Sequence, residues 1–203
     1  MLQRLLIMFL VCYVVSADAA DRSILVLGDS ISAGYGISVK HGWVALLQQR
    51  LVQQGYNYRV INASISGDTS RGASARVEAL LHAHHADIAI IELGGNDGLR
   101  GLALEEMARN LSFIIERLLK NHTRVLLIPM QLPPNYGQTY NTKFQQVYQK
   151  LADTYEVVLG RFLLADIAVN PDLMQSDGIH PNSKAQRMML DNVWTDLKNL
   201  IIK

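Results

Sequence analysis

Cysteine is nearly absent from this chain of 203 residues, where the one thiol is Cys12. No disulfide framework can be built from it, and thiolate zinc sites are excluded. Charge of one sign is lacking too. The formal net charge is +1, which offers no basic face to nucleic acid or to an anionic membrane surface. The Gly28–Gly36 loop has neither the Lys-Ser/Thr of a P-loop nor the spacing of a dinucleotide fingerprint. No His-Glu-x-x-His occurs. His82, His84 and His85 fall in the last turn of a helical stretch, where cations suit the helix dipole, and they read as solvated side chains. No metal site and no cofactor is therefore predicted. Linkers, repeats and low-complexity stretches are missing as well, so one domain with a substantial core is expected.

A membrane-spanning run is also lacking. The apolar stretch Leu5–Val15 is too short to cross a bilayer comfortably. With Arg4 before it and Ala17-Asp18-Ala19 after it, the segment has the layout of a secretory leader. Residues 1–19 are read as a signal peptide and residues 20–203 as the mature domain, which would hold no thiol. Cys12 sits mid-run after Phe9-Leu10-Val11 rather than at a cleavage point, so a lipoprotein anchor is not predicted. The expected product is exported and has no stable membrane anchor. It would be periplasmic in a Gram-negative source and secreted otherwise. A monomer is expected.

What is present is a regular alternation. Ile24–Leu27, Arg59–Ala63, Asp87–Leu93, Arg124–Ile128 and the short Val157–Leu159 read as strands. Trp43–Gln54, Arg71–His84, Leu104–Lys120, Thr139–Tyr155 and Ser183–Ile201 read as helices. Such alternation implies an α/β fold with a parallel sheet covered on both faces. The prediction is a flavodoxin-like three-layer α/β/α sandwich with roughly five strands. Ligands of such sheets gather at the carboxyl ends of the strands. Ser30 follows the first strand, Gly67-Asp68 the second, and Asn96-Asp97 the third.

Each of these motifs has an ordinary reading. Gly28-Asp29-Ser30 is a common strand exit with a cap, Gly67-Asp68-Thr69 a helix start, and Asn96-Asp97-Gly98 a turn. Asp177-Gly178 is a turn signal, and Pro181 suits a first helical turn. Their coincidence is more informative. A serine hydroxyl needs a base to take its proton, and an imidazole base needs a carboxylate to fix its tautomer. Ser30, His180 and Asp177 fill these roles in the chain order of parallel-sheet hydrolases, although the Gly-x-Ser-x-Gly elbow is absent. Donors for a developing oxyanion are available from the N–H groups of Ser30 and Gly67 and from the Asn96 side chain.

Gly28-Asp29-Ser30, Gly67, Asn96 framed by Gly95 and Asp97, and Asp177-x-x-His180 resemble the ordered blocks of the SGNH (GDSL) hydrolase family. The resemblance runs from about Ile24 to about Lys198. Ala63–Ser70, Glu92–Gly101, Leu132–Gly137 and Asp177–Asn182 are similar to its exported bacterial thioesterase, lysophospholipase and arylesterase branch. The resemblance implies Ser30 as nucleophile, His180 as base and Asp177 as its partner, with Ser30, Gly67 and Asn96 forming the oxyanion hole.

Apolar side chains on loops need a reason, because loops normally face water. Met130, Leu132, Pro133, Pro134 and Tyr136 follow the fourth strand, and Leu173, Met174 and Ile179 flank the Asp–His turn. The favoured reason is an acyl groove in which Leu132, Pro133, Tyr136, Met174 and Ile179 contact substrate. The alternative is packing of the loops on one another. Gly94, Gly95, Gly98 and Gly101 make the loop after the third strand a candidate mobile element. The expected activity is hydrolysis of small-molecule esters and thioesters with apolar acyl groups. A carbohydrate deacetylase of the same family and a non-catalytic binding module are the rival readings.

Overall fold

The computed structural model describes residues 22–202. The leader-like residues 1–19, Cys12 among them, lie outside the described residues. Five strands, β1 (Arg22–Gly28), β2 (Tyr58–Asn62), β3 (Ile88–Glu92), β4 (Arg124–Leu127) and β5 (Val158–Leu159), form one sheet in the order β2-β1-β3-β4-β5. Every pairing is parallel. The helices are α1 (Ser30–Ala33), α2 (Trp43–Gln53), α3 (Ser70–Ala83), α4 (Gly95–Leu99), α5 (Leu104–Lys120), α6 (Gln138–Tyr155) and α7 (Gln186–Leu197).

The central strands carry unbroken apolar runs because both of their faces are covered. Ile24–Leu27 and Ile88–Ile91 are fully buried. Helices α3, α5 and α6 pack side by side as one layer, and α2 packs with α7 in another. In α5 the buried residues Met107, Leu111, Ile114, Ile115 and Leu118 fall on one face of a 3.6-residue period. Its acidic first turn and basic last turn both suit the helix dipole.

The three-layer α/β prediction stands, with strand boundaries moved by one or two residues. The last helix is shorter than expected. Asn182–Ala185 forms a turn first, with Lys184 N–H donating to Asn182 Oδ1 at 2.9 Å. Gln186 then links two elements. Its Oε1 accepts from Trp43 N–H at the start of α2 (3.0 Å), and its amide donates to the Asn182 carbonyl (3.1 Å). This side chain satisfies an orphan N–H of α2 that Gly42 has no side chain to cap.

Candidate active site

The site sits where the sheet changes direction. From β1 the chain crosses to β2 on one side, while β3 lies on the other. Connections therefore diverge at the carboxyl ends of β1 and β3 and leave a crevice between them. Gly28 ends β1 in register with Glu92 of β3. Two residues past Gly28, Ser30 opens α1, and four past Glu92, Asn96 lies in α4.

The C-terminal loop brings the other two groups to Ser30. Met174 and Pro181 form an antiparallel bridge, which makes residues 174–181 a small hairpin. Gln175 N–H donates to the His180 carbonyl (2.7 Å), and Gly178 N–H donates to the Gln175 carbonyl (3.0 Å). The Gln175 amide reaches out to the carbonyls of Tyr35 (2.8 Å) and Pro181 (3.1 Å) and so ties the hairpin to the exit of α1. The Tyr35 ring lies 4.6 Å from the His180 ring, centroid to centroid.

His180 Nε2 is 2.8 Å from Ser30 Oγ, and His180 Nδ1 is 2.7 Å from Asp177 Oδ2. Asp177 Oδ1 accepts the N–H groups of Ile179 (2.9 Å) and His180 (3.0 Å). The His180 N–H, foremost among these bonds, lowers the Asp177 pKa from 3.8 to about 2. An ionised carboxylate only accepts. Nδ1 therefore carries the imidazole proton, and Nε2 is left to accept from the Ser30 hydroxyl.

The opposite side of Ser30 is built into the core. Asp29 is 2 % exposed. Its Oδ1 caps α1 by accepting Ile31 N–H (3.0 Å), and its Oδ2 accepts from the Asn96 amide nitrogen (3.0 Å). Burial, opposed by these bonds, lifts the Asp29 pKa to about 6. Beneath it, fully buried Glu92 accepts from Ser32 Oγ (2.6 Å) and more distantly from Asp29 N–H (3.4 Å). Burial, and then the charge of Asp29, push the Glu92 carboxyl well above the usual range. Gly67 lies on the loop after β2, held by Ile65 N–H on the Gly28 carbonyl (3.1 Å) and by Arg100 on its own carbonyl (2.9 Å). Its φ of +78° is a backbone conformation that strains any residue with a Cβ.

The structure thus brings Ser30, Asp177 and His180 into hydrogen-bond contact, and ties Asn96 to the residue before Ser30. The residues expected to line a groove differ in burial. Leu132 is buried. It lies under α4, where a Cβ on Gly98 would stand 2.6 Å from its side chain. Gly98 and its neighbours are therefore packed as a helix, with Gly95, Asp97 and Gly98 buried. Tyr136 straps its turn to α4 by donating to the Leu99 carbonyl (2.9 Å). Pro133 is exposed, Met174 is half-buried, and Ile179, beside His180, is 44 % exposed. Sequence reasoning missed Tyr35 and Ile65, both about half exposed, since a lone apolar residue in a polar loop gives no periodic signal. It also missed Gln175 and Glu92. Among the described residues, no group of three His, Cys, Asp or Glu side chains is arranged to hold a metal ion.

Comparison with known proteins agrees with this geometry. A model of the GDSL-like lipase/acylhydrolase family matches residues 26–188. The esterase TesA of Pseudomonas aeruginosa is 48% identical over 184 residues, which is 91% of this chain and 92% of that protein. Thioesterase 1/protease 1/lysophospholipase L1 of Escherichia coli K12 is 41% identical over 194 residues, 96% of this chain and 91% of that one. Among solved structures, TesA superposes with a TM-score of 0.87 at 48% identity, covering 89% of this chain and all of the other. The psychrotrophic esterase EstA of Pseudoalteromonas, inhibited by monoethylphosphonate, gives 0.85 at 39% identity, covering 88% and 98%. This chain belongs to the GDSL-like lipase/acylhydrolase, or SGNH, family of serine ester hydrolases.

Proposed function

We propose that the chain hydrolyses esters and thioesters of apolar acyl groups through an acyl-enzyme on Ser30. The observation that carries this reading is the hydrogen-bonded line from Ser30 Oγ through His180 to Asp177, at 2.8 and 2.7 Å. The esterase and thioesterase names of the relatives support the substrate class. Ser30 Oγ attacks the acyl carbon as its proton passes to His180 Nε2. Asp177 stabilises the imidazolium that forms. Charge developing on the carbonyl oxygen is met by the N–H groups of Ser30 and Gly67 and by the Asn96 amide. His180 then protonates the leaving alcohol or thiol, and the C–O or C–S bond breaks. Water, deprotonated by the same imidazole, releases the acid and returns the proton to Ser30.

The apolar selectivity is assigned to the exposed side chains at the rim, Tyr35, Ile65 and Ile179. Each methylene buried against them is worth about 0.8 kcal/mol, roughly fourfold in kcat/KM per carbon. A chain-length series of p-nitrophenyl and thiol esters tests this. kcat/KM is expected to climb with chain length, and Ile179→Ser is expected to flatten the climb while sparing acetyl esters. A wild-type preference for acetyl esters would turn the reading to a carbohydrate deacetylase.

No helix among the described residues is long and apolar enough to cross a membrane. Export with cleavage after Ala19 is proposed from the leader pattern of residues 1–19. The N-terminal residue of the exported protein decides it.

A further inference from the structure

Asn96 carries a symmetric-looking amide that could present either nitrogen or oxygen to the reacting carbonyl. Only the nitrogen end stabilises an oxyanion; the oxygen end would repel it. Some contact must decide between them. Among the described residues, the polar contact recorded for the Asn96 side chain is Asp29 Oδ2, 3.0 Å from Nδ2. An ionised carboxylate accepts and never donates, so it selects the nitrogen. That leaves the second N–H on the same nitrogen for the substrate.

We infer that Asp29 is the positioning residue of the oxyanion hole, turning the Asn96 amide so that its N–H rather than its carbonyl meets the acyl oxygen. This rests on the reading of Asn96 as an oxyanion donor. The placement of Asp29 serves this use. Its other oxygen is held by Ile31 N–H (3.0 Å), so the carboxylate cannot rotate without uncapping the helix that begins at Ser30. A Cβ on Gly95 would stand 3.3 Å from Oδ2, so α4 brings its backbone close against the carboxylate. The charged and titratable groups that face Asp29 are Glu92 of β3, His180 of the hairpin, Asp68 of the loop after β2 and the buried Tyr148 of α6. Both Asp29 oxygens face N–H donors, Oδ1 that of Ile31 and Oδ2 that of Asn96, which is how a carboxylate is held.

Asp29→Asn separates positioning from folding. Asparagine is as good a helix cap as aspartate, so Oδ1 can still accept Ile31 N–H. Its NH2 group would then face the Asn96 NH2 group, donor against donor. Asn96 relieves this by turning over and presents its carbonyl to the oxyanion. Removing one oxyanion donor typically costs about 100- to 1,000-fold in kcat. The experiment measures kcat, KM and melting temperature for wild type, Asn96→Ala, Asp29→Asn and the double variant on a medium-chain p-nitrophenyl ester. Asp29→Asn is expected to lower kcat by about 100-fold with KM within a few-fold and no fall in melting temperature. In the Asn96→Ala background it is expected to cost less than about threefold more, because the group through which it acts is gone. Should Asp29→Asn misfold, Asp29→Ser also caps α1 and lacks the oxygen that reaches Asn96, and the same non-additivity is expected of it.

An undiminished kcat in Asp29→Asn overturns the inference. So does an equal loss with and without Asn96, which would place the effect on His180 or on α1. Full activity in Asn96→Ala overturns the oxyanion reading itself, and the inference falls with it.

Discussion

The two halves of the candidate active site are built in opposite ways. Ser30 and Asn96 stand on short helices at the ends of the two central strands, with buried Asp29 and Glu92 behind them. His180 and Asp177 hang on a hairpin near the surface, shaped by its own hydrogen bonds. The aspartates make the contrast measurable. Asp29 is lifted to about 6 by burial, whereas Asp177 is lowered to about 2, chiefly by a backbone N–H. One chemical group acquires two characters because one position excludes water and the other surrounds the carboxylate with donors. In the proposed mechanism the buried half frames the transition state and the exposed half handles the proton.

If that division holds, substitutions in the exposed half cost far more in catalysis than in stability. Asp177→Asn is the sharpest case. The amide oxygen would keep the two N–H donors of Ile179 and His180, which puts the NH2 group against His180 Nδ1. The imidazole must then carry its proton on Nε2, the tautomer that cannot accept from Ser30. A loss of about 10,000-fold in kcat is expected, as for wrong-tautomer variants of other serine hydrolases. The melting temperature of the same sample should fall only slightly, because the amide oxygen keeps both backbone donors while the lost charge costs a little. A drop in melting temperature that parallels the lost activity would break the comparison.

Substitution in the buried half should move stability with pH. The Asp29 carboxyl titrates higher in the folded chain, at about 6, than its ordinary 3.8. The folded state therefore holds that proton longer than the unfolded one. The stability it contributes is full below about pH 4 and is lost as pH rises through about 6. The loss amounts to about 3 kcal/mol at roughly 1.4 kcal/mol per pH unit. Asp29→Asn keeps the cap and never ionises. Its melting temperature relative to wild type should rise between pH 4 and pH 7 and then level off, while its kcat stays low. Parallel curves for the two proteins would deny that the carboxylate is buried and charged.

The same division governs how much was legible in the sequence. The five strands and the longer helices follow from apolar periodicity, because each buries enough surface to impose a pattern. Helices α1 and α4 do not, since four or five residues make too short a window for any period. They are set by Asp29 as a cap and by packing that Gly98 permits beside Leu132 and Phe144. That packing also shows why Leu132, expected as a groove wall, is buried. An apolar loop residue and a core residue look alike until a glycine opposite it is seen to let it in. The Ser30–His180–Asp177 contact was legible as a candidate, as were Gly67 and Asn96 as proposed donors, because their residue types are chemically constrained and several of them stand at strand ends that follow from the alternation. Glu92 read as the end of an apolar strand. Only the three-dimensional register that sets it beside Gly28 and Ser32 reveals a buried acid near Ser30.

The proposed reaction requires that Ser30 be the residue that takes the acyl group. A fluorophosphonate reacts irreversibly with a serine that an adjacent base has activated, so the purified protein is labelled to completion, digested, and the modified peptide sequenced by mass spectrometry. One adduct per chain is expected, on Ser30, with activity lost in step with labelling. Ser30→Ala should take no label and show no turnover. An adduct on another residue, together with turnover surviving in Ser30→Ala, would contradict the account.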